Sequence, residues 1–563
     1  MALNPSTQAN TAVDVIDGTV SEFYNLVDQC IRKSEVMPGQ YKSITSPSYS
    51  NNCPIDESSF TTVDVGCPAP QVVDIDNSFI TAEVEVPISF PADTFKTTPD
   101  TDAITFFVGW RSSLDILQRY IIYCNHKVVY DQVYVGEESF ILQSLLPEHV
   151  RCRKPNQYTT YDNASHFSPD VCGTYITLRS SDARTALAAQ TATVRIPIKL
   201  DINQFLLFQN FKYLPGFCGT WSIKLYPSTQ NMIICQVDPT ARLTPAQLNA
   251  LAGKDLTDYD HCFSQLGDTF KCLTLFCSTA LENTSTGTDP SNAVPVGATF
   301  ANVAGITAGR AKVHEVLYHQ TQFELMYDVY DGLKARYMAR PLTIPVNKLD
   351  YGRFAGAMKN TGSSSTYTAA VSNVESIFIL PFPDDNHHTV CFNPEFREFY
   401  LSISGFGNFP QQPFNTFGND EKHNRFVNMT LDALNVNNSP IMAPNKDLLN
   451  SLETKKITSW LCNNGAVSDS TLSVKHDNSN FLIGIPFSND IDFQGGLTSN
   501  GNINIKLAST NSIIDTIANG LRGGTTGCNI GATVMFCTDA ALMIKVIPYS
   551  DQPECRLVTE RIV

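Results

Sequence analysis

The chain has 563 residues, with 55 acidic and 39 basic side chains and a formal net charge of −16 at pH 7. Hydrophobic residues make up 42% and aromatic residues 10%, which excludes a disordered chain, a collagen and a coiled coil and allows large buried cores. The acidic balance also argues against a protein that grips nucleic acid along its length, because phosphate binding depends on Lys and Arg. Only 17% of the residues are charged, so much of the surface must be uncharged or covered by partner chains.

The first residues, MALNPSTQAN, lack the basic and apolar regions of a secretory signal. No segment reaches the roughly 18 apolar residues of a membrane helix. The 16 cysteines are scattered along the chain without a Cys-x-x-Cys motif, which favours reduced thiols. We therefore expect a protein that is made inside a cell and is not secreted through a signal peptide.

The first predicted element is an amphipathic helix of about 15 residues near the N-terminus. Thr19 to Glu22 has the spacing of a capping box, and Pro38-Gly39 closes the segment. Two interpretations of the apolar stripe stay open: it packs on its own domain, or it docks on a neighbouring subunit. The candidate interaction residues are Val20, Phe23, Tyr24, Val27 and Ile31.

From Phe79 onward the pattern indicates β-structure, as in Phe79–Phe90, where apolar and polar residues alternate. Short helices are predicted at Ser112–Arg119 and Thr244–Gly253. The other predicted strands of the first half are Ala103–Trp110, Tyr120–Tyr123, Lys127–Tyr130, Thr193–Leu200, Thr220–Leu225, Met232–Val237, Phe270–Phe276 and Val313–Tyr330, where Leu325–Tyr330 is alternatively helical. Those of the second half are Arg336–Val346, Val374–Leu380, Glu398–Ile403, Phe481–Phe487, Asn502–Leu507, Ala532–Cys537 and Leu542–Ile547.

These elements predict an all-β protein with an N-terminal helical arm over residues 1–75 and two β-units over 76–332 and 333–563. The second unit carries a long loop insertion at 407–480, which is rich in Asn, Pro and Asp. Short matches between the halves favour duplication and equivalent edge strands, because proline inside an apolar run is typical of an edge. The matched pairs are Val86-Pro87-Ile88 with Ile344-Pro345-Val346, Ile196-Pro197 with Ile485-Pro486, and Ile223-Lys224-Leu225 with Ile505-Lys506-Leu507.

The candidate catalytic, cofactor and metal motifs of the sequence do not have the spacing that such sites need. His314 and His319 are five residues apart, whereas two zinc ligands on one helix face need a separation of four, and the surrounding residues favour a strand. Asp384 to His388 are contiguous and cannot all turn toward one ion. The sequence therefore predicts no enzyme, no catalytic residues, no cofactor and no metal.

Several segments of the first half resemble the first jelly roll of double jelly-roll major capsid proteins, above all those of Maverick (Polinton) elements, adintoviruses and virophages. The likeness covers residues 80–240, and the second half is assigned by its β-rich texture and the repeat. The segments are Phe107–Asp115, Arg119–Tyr123, Asn125–Tyr130, Glu137–Phe140 and Thr193–Leu200.

The resemblance implies two tandem eight-stranded jelly rolls and a major capsid protein whose homotrimers form pseudo-hexameric capsomers of an icosahedral shell around a DNA genome. The implied location is the virion, with assembly inside the host cell. The implied partners are neighbouring capsomers, penton proteins and minor capsid proteins, with no sequence-specific binding of nucleic acid. Contact of the arm with an inner membrane stays open, and nothing in the sequence indicates it.

The resemblance also implies a viral maturation protease as a candidate partner. Leu521-Arg522-Gly523-Gly524 resembles the site preferred by adenovirus-type proteases, which makes Gly523 and Gly524 candidate processing residues. A Gly-rich turn is the favoured alternative, since a cut after Gly523 or Gly524 would sever two predicted strands of the second unit. Two other functions stay open for the whole chain: a carbohydrate-binding or adhesive β-sandwich protein, and a hydrolase on a jelly-roll scaffold.

Overall fold

The residues that the computed structural model describes form many strands and, apart from a helical segment at residues 23–25 and 27, three regular helices: α1 (Val135–Leu145), α2 (Tyr327–Ala339) and α3 (Glu421–Ala433). The residues that the structure describes are 23–25, 27, 42–45, 60–90, 103–110, 112–145, 172–179, 190–229, 231–237, 261–265, 307–325, 327–358, 364–368, 371–382, 396, 398–405, 407–416, 420–434, 481–487, 497–499, 502–507, 530–547 and 553–558.

The strands of the first half are β1 (Lys42–Thr45), β2 (Thr61–Asp64), β3 (Gln71–Phe90), β4 (Ala103–Trp110), β5 (Leu117–Cys124), β6 (Lys127–Val133), β7 (Cys172–Arg179), β8 (Gln190–Asp201), β9 (Tyr213–Pro215), β10 (Trp221–Pro227), β11 (Ile233–Val237), β12 (His261–Gln265), β13 (Thr307–Ala308) and β14 (Lys312–Glu324). Those of the second half are β15 (Leu342–Met358), β16 (Ser364–Thr368), β17 (Val371–Phe382), β18 (Phe399–Ile403), β19 (Gly407–Phe414), β20 (Ile483–Pro486), β21 (Leu497–Ser499), β22 (Asn502–Leu507), β23 (Ile530–Lys545) and β24 (Glu554–Val558).

Eight strands of the first half form two antiparallel sheets, which we call the first sandwich. One sheet has the order β1-β14-β3-β8 and the other β2-β10-β5-β6. If only these eight strands are counted, from 1 to 8 along the chain, the two sheets have the orders 1-8-3-6 and 2-7-4-5. This is the jelly-roll arrangement of two Greek keys. The apolar residues of β3 that the alternation assigned to the core are buried, Val84 and Val86 completely so.

The second half repeats this arrangement as the second sandwich. Its sheets have the orders β15-β23-β17-β20 and β16-β22-β18-β19, again 1-8-3-6 and 2-7-4-5. The short strand β24 extends β23 on the side of β17. Strand order alone therefore confirms the prediction of two tandem eight-stranded jelly rolls, independently of any sequence likeness.

A third sheet belongs to the first sandwich, and the described residues of the second sandwich contain no counterpart. Its order is β12-β11-β4-β7, and its strands come from the connections after strands 3, 5 and 7 of the first sandwich. Three insertions that are far apart in sequence thus fold together. The long loop insertion expected at 407–480 begins instead with β19, which is strand 5 of the second sandwich, and continues into α3.

Several predicted boundaries are wrong. The predicted arm, 1–75, extends too far, because β1 and β2 pair with β14 and β10 as strands of the first sandwich. The predicted division at 332/333 falls inside α2. The expected strand Val313–Tyr330 ends at Glu324, and the helical alternative for its last residues is correct from Tyr327 onward. The expected strand Arg336–Val346 begins only at Leu342.

The predicted helix at Ser112–Arg119 is a single 3₁₀ turn, Ser113–Ile116, capped by the Ser112 hydroxyl, which accepts a hydrogen bond from the Leu114 N–H. The predicted helix Thr244–Gly253 and the predicted strand Phe270–Phe276 lie outside the described residues. Among the described residues, none of the helices combines the length and the apolar content needed to span a bilayer.

Two of the three matches between the halves join equivalent strands. Pro197 lies in β8 and Pro486 in β20, the sixth strand of each sandwich, and each of these strands pairs with one neighbour among the described residues. The two Ile-Lys-Leu segments likewise lie in the seventh strands, β10 and β22. The third match is wrong: Pro87 lies in β3, which is flanked on both sides, whereas Pro345 lies in the first strand, β15.

Candidate assembly site at the junction of the two sandwiches

The two sandwiches share one continuous apolar core, and their junction is asymmetric. The first sandwich contributes β6, α1 and the 3₁₀ turn Leu206–Phe208 after β8, which together form the side near its strands 4 to 6. The second sandwich contributes β15, β23 and β24, the side near its strands 1 and 8. Two different sides of equivalent units therefore meet, so the junction is heterologous.

A buried carboxyl group lies on the first sandwich's side of this junction. Glu138, in the first turn of α1, is completely buried, and its Oε1 accepts a hydrogen bond from the Tyr120 hydroxyl at 2.7 Å. The ring of Phe205 packs edge-on against Tyr120, with 4.9 Å between the centroids. Burial raises the pKa of Glu138 to about 8, so the carboxyl is largely protonated at neutral pH.

Tyrosines connect the surroundings of Glu138 to the second sandwich. Tyr130 stacks on Tyr120, and its hydroxyl accepts a hydrogen bond from the Leu349 backbone N–H of β15 at 3.5 Å. Tyr134 packs edge-on against Tyr351, with the centroids 4.6 Å apart. Burial raises the pKa of Tyr120 and of Tyr130 well above the usual range, so both phenols remain neutral hydrogen-bonding groups.

A second polar contact joins α1 to β23. The Thr533 hydroxyl donates to the Glu137 carboxylate at 3.5 Å, and both residues are buried. Glu137 lies in the first turn of α1, where a helix stabilises negatively charged groups through its unpaired N–H donors. The junction thus combines apolar packing with a few directed hydrogen bonds, which define one relative orientation.

The last described segment of the chain crosses from the second sandwich to the first. Asn125, at the turn between β5 and β6, donates from Nδ2 to the Pro553 carbonyl at 2.8 Å. Its Oδ1 accepts from the Thr220 N–H at 3.0 Å, so the amide bridges β10 to the C-terminal segment. Asn125 and His126 have φ angles of 49° and 65°, which confirms the tight turn with a left-handed Asn expected from the sequence.

The N-terminal stripe lies at the same junction but faces inward. Residues 23–25 and 27 are helical, and Phe23 and Val27 are completely buried. The Phe23 ring packs edge-on against Tyr337 of α2 at 5.3 Å, and the Tyr24 hydroxyl donates to the Asn210 carbonyl and accepts from the Lys212 N–H. Burial raises the pKa of Tyr24 above its ordinary range.

The chain's own core covers Phe23 and Val27, which favours packing on the same chain over docking on a neighbouring subunit for these two residues. Packing on the same chain also describes the hydrogen-bonded Tyr24. Val20 and Ile31 lie outside the described residues, and so do the candidate processing residues Gly523 and Gly524.

The linking helix α2 completes an aromatic cluster with this stripe. Phe217 contacts Tyr330 at 5.4 Å and Tyr337 at 6.3 Å between ring centroids, and Tyr24 contacts Tyr213 at 6.1 Å. The N-terminal segment, the first sandwich and the link to the second sandwich are thus held together by rings. This cluster was not predicted from the sequence, because its members are distant in sequence and lie in the N-terminal segment, in the first sandwich and in α2.

The two histidines considered as zinc ligands lie in β14, as the strand interpretation requires. His314 Nε2 is 3.4 Å from a carboxylate oxygen of Glu85, and His319 Nε2 is 2.8 Å from the Thr81 hydroxyl. His319 also stacks on Phe79 at 4.7 Å. Within the part of the chain that the structure describes, no three ligating side chains converge on one point. The cluster Asp384 to His388 lies outside it.

No family model and no curated protein matches the sequence. Solved structures do match: the Sputnik virophage (12% identity, 94% of this chain and 90% of that chain, TM-score 0.43) and the mavirus major capsid protein (9%, 92% and 90%, 0.45). The Faustovirus major capsid protein also matches (8%, 94% and 98%, 0.39). These similar structures are double jelly-roll major capsid proteins of viruses and virophages. The chain has the double jelly-roll fold. That assignment rests on its own strand order.

Proposed function

We propose that this double jelly-roll protein is a major capsid protein, whose homotrimers form pseudo-hexameric capsomers of an icosahedral shell around a DNA genome. The observation that carries the proposal is the heterologous junction between two sandwiches of identical strand order. A heterologous contact leaves one complementary side unused on each unit, and repetition of the contact closes a ring when the rotation allows it. Three chains of two sandwiches each would give a six-unit ring.

The helix of each sandwich that follows strand 5 supports this proposal. In the first sandwich it is α1, whose residues Val135, Glu137, Glu138 and Ile141 are buried at the junction. In the second sandwich the corresponding helix is α3, which packs on β19 and β20. Its outer face, with Glu421, Lys422, Asn424 and Asn428, is exposed. The side of the first sandwich that carries α1 is covered by the second sandwich, whereas the equivalent side of the second sandwich, which carries α3, is exposed.

The packing of α3 shows that this open side is well formed. Gly484 of β20 allows the close approach, because a Cβ there would lie 2.8 Å from the Ala433 Cβ. The Gly484 N–H donates to the Thr430 hydroxyl at 3.2 Å, and Asp420 caps the helix by accepting from the His423 N–H. We infer that α3 and β19 receive the β1 and β14 side of a second copy, the counterpart of β15 and β23.

The proposed role is structural and requires no catalytic residues. The further partners that we propose for the protein are neighbouring capsomers, penton proteins, minor capsid proteins and, for particle maturation, a viral protease. The proposed location is the virion. A chain of net charge −16 would leave neutralisation of the genome to other proteins or to counterions.

Mass photometry and negative-stain electron microscopy of the purified full chain test the proposal. We expect ring-shaped trimers of about 186 kDa, three times the chain mass of 62.0 kDa, and shells at higher concentration. A chain that stays monomeric under all assembly conditions and binds glycans on an array would contradict the proposal and favour the carbohydrate-binding alternative.

The substitution Asn424→Arg on the exposed face of α3 tests the inferred contact. An added charge that becomes buried against the neighbour should weaken trimer formation about tenfold or more, since an unpaired buried charge costs several kcal/mol. The concentration dependence of the trimer fraction measures the effect. The matched control is Ala335→Arg on the exposed face of α2, which introduces the same side chain on a helix away from the contact. Equal trimer formation by both variants would exclude α3 from the interface.

A further inference from the structure

Two cysteines from different sandwiches meet at the edge of the junction. Cys124 ends β5 and is buried, and Cys555 lies in β24 and is half-buried. Their Sγ atoms are 2.6 Å apart, so a disulfide bond of about 2.05 Å would need a shift of roughly half an ångström. The two positions are 431 residues apart in sequence.

The backbone on both sides of this pair is held in place by other contacts. The Asn125 side chain bonds the Pro553 carbonyl, two residues before Cys555, and Cys555 lies opposite Ile544 in the β23–β24 ladder. Cys124 lies opposite both Lys127 and Trp221 in its own sheet. The thiols are therefore brought together by the fold itself.

We propose that Cys124 and Cys555 are an oxidative cross-link site that covalently joins the C-terminal strand to the first sandwich. The co-reactant is a small-molecule disulfide such as oxidised glutathione. The more accessible Cys555 attacks one sulfur of the reagent, and one small thiol leaves, giving a mixed disulfide. Cys124 then attacks the Cys555 sulfur, and the second small thiol leaves. The protein loses two hydrogen atoms, and the reagent is reduced to two thiols.

The environment of Cys124 assigns the order of these steps. Its hydrogen bond with Cys555 and its burial raise the pKa of the Cys124 thiol far above the usual range. Because Cys124 is buried, reagents in solution reach the half-buried Cys555 first, and the Cys124 sulfur reacts with the mixed disulfide formed next to it. The pair therefore stays reduced in a reducing compartment and closes in an oxidising one. This inference does not depend on the proposed capsid role.

Trypsin provides a direct test on the full chain. Cleavage after Arg119, Lys127, Lys545 and Arg556 releases the peptides 120–127 and 546–556, each with one cysteine. After treatment with oxidised glutathione and alkylation without reductant, we expect these two peptides as one linked species. Full alkylation of Cys124 and Cys555 would overturn the proposal. So would a link from 546–556 to the peptide 213–224, which contains the nearby buried Cys218.

Thermal unfolding gives an independent readout. Oxidation should raise the melting temperature of the wild-type chain by a few degrees, because the cross-link restricts the unfolded chain over about three quarters of its length. Cys555→Ser should unfold at the temperature of the reduced wild type and show no rise on oxidation. The control Cys67→Ser, at another half-buried thiol of the first sandwich, should retain the full rise. An equal rise in Cys555→Ser would refute the assignment.

Discussion

Replacing Glu138 by glutamine is expected to remove a large pH dependence of the free energy of unfolding. In the folded chain burial raises the pKa of this carboxyl from 4.5 to about 8, and the unfolded chain has no such burial. The stabilisation is therefore complete below the unfolded pKa and is lost as the pH rises toward 8. The full loss should be about 5 kcal/mol, because the pKa difference of about 3.5 units is worth about 1.4 kcal/mol per unit.

Urea unfolding between about pH 5 and pH 8.5 measures this effect. We expect the wild type to lose stability across that interval and Glu138→Gln to show a much flatter profile, because the amide keeps an acceptor for the Tyr120 hydroxyl and carries no charge. Glu421→Gln is the matched control, since Glu421 occupies the first turn of α3 but is exposed and pairs with Arg425. An unchanged slope in Glu138→Gln would show that another group carries the pH dependence.

Replacing Phe23 by alanine is expected to destabilise the single chain by about 3–5 kcal/mol, the usual cost of deleting a buried phenylalanine ring. Phe23 is completely buried and contacts both Tyr24 and Tyr337, so the substitution leaves a cavity where the N-terminal helix meets α2. Chemical denaturation of the monomer measures the loss. Asn25→Ala, on the exposed face of the same helix, should change stability by no more than about 0.5 kcal/mol.

The same pair of variants distinguishes the two interpretations of the N-terminal stripe. Packing on the same chain predicts a less stable monomer in Phe23→Ala. If the monomer kept its stability and only trimer formation were lost, docking on a neighbouring subunit would be the correct interpretation, and the burial of Phe23 would have to come from a neighbour.

Elements with a strong local signal were predicted well. The alternation of β3 places its apolar residues in the core because successive side chains of a strand face opposite sides. The Asn125-His126 turn follows from the tolerance of Asn for left-handed backbone, and the edge positions of Pro197 and Pro486 follow from the missing N–H of proline. Each of these inferences uses only a few neighbouring residues.

Helix α1 was missed because buried polar residues blur its helical period. Helix α3 does alternate a buried and an exposed face, and it was missed because its segment was interpreted as part of a long loop. Val135, Glu137, Glu138 and Ile141 of α1 are all buried, so no polar face marks the helix in the sequence. The excessive length assigned to the arm has a similar cause. Strands β1 and β2 have four residues each, too few for alternation to show, and only their pairing with β14 and β10 identifies them.

The sequence by itself therefore determined an all-β protein of two related halves, since hydrophobic period, proline placement and turn residues are local properties. Tertiary structure decided which sides of the two sandwiches meet, that the stripe around Phe23 faces inward, and that Glu138 is buried beside Tyr120. It also brought Cys124 to Cys555. These contacts join residues hundreds of positions apart, and burial in a low-dielectric core, which alters the chemistry of Glu138 and Cys124, exists only once those distant segments have packed.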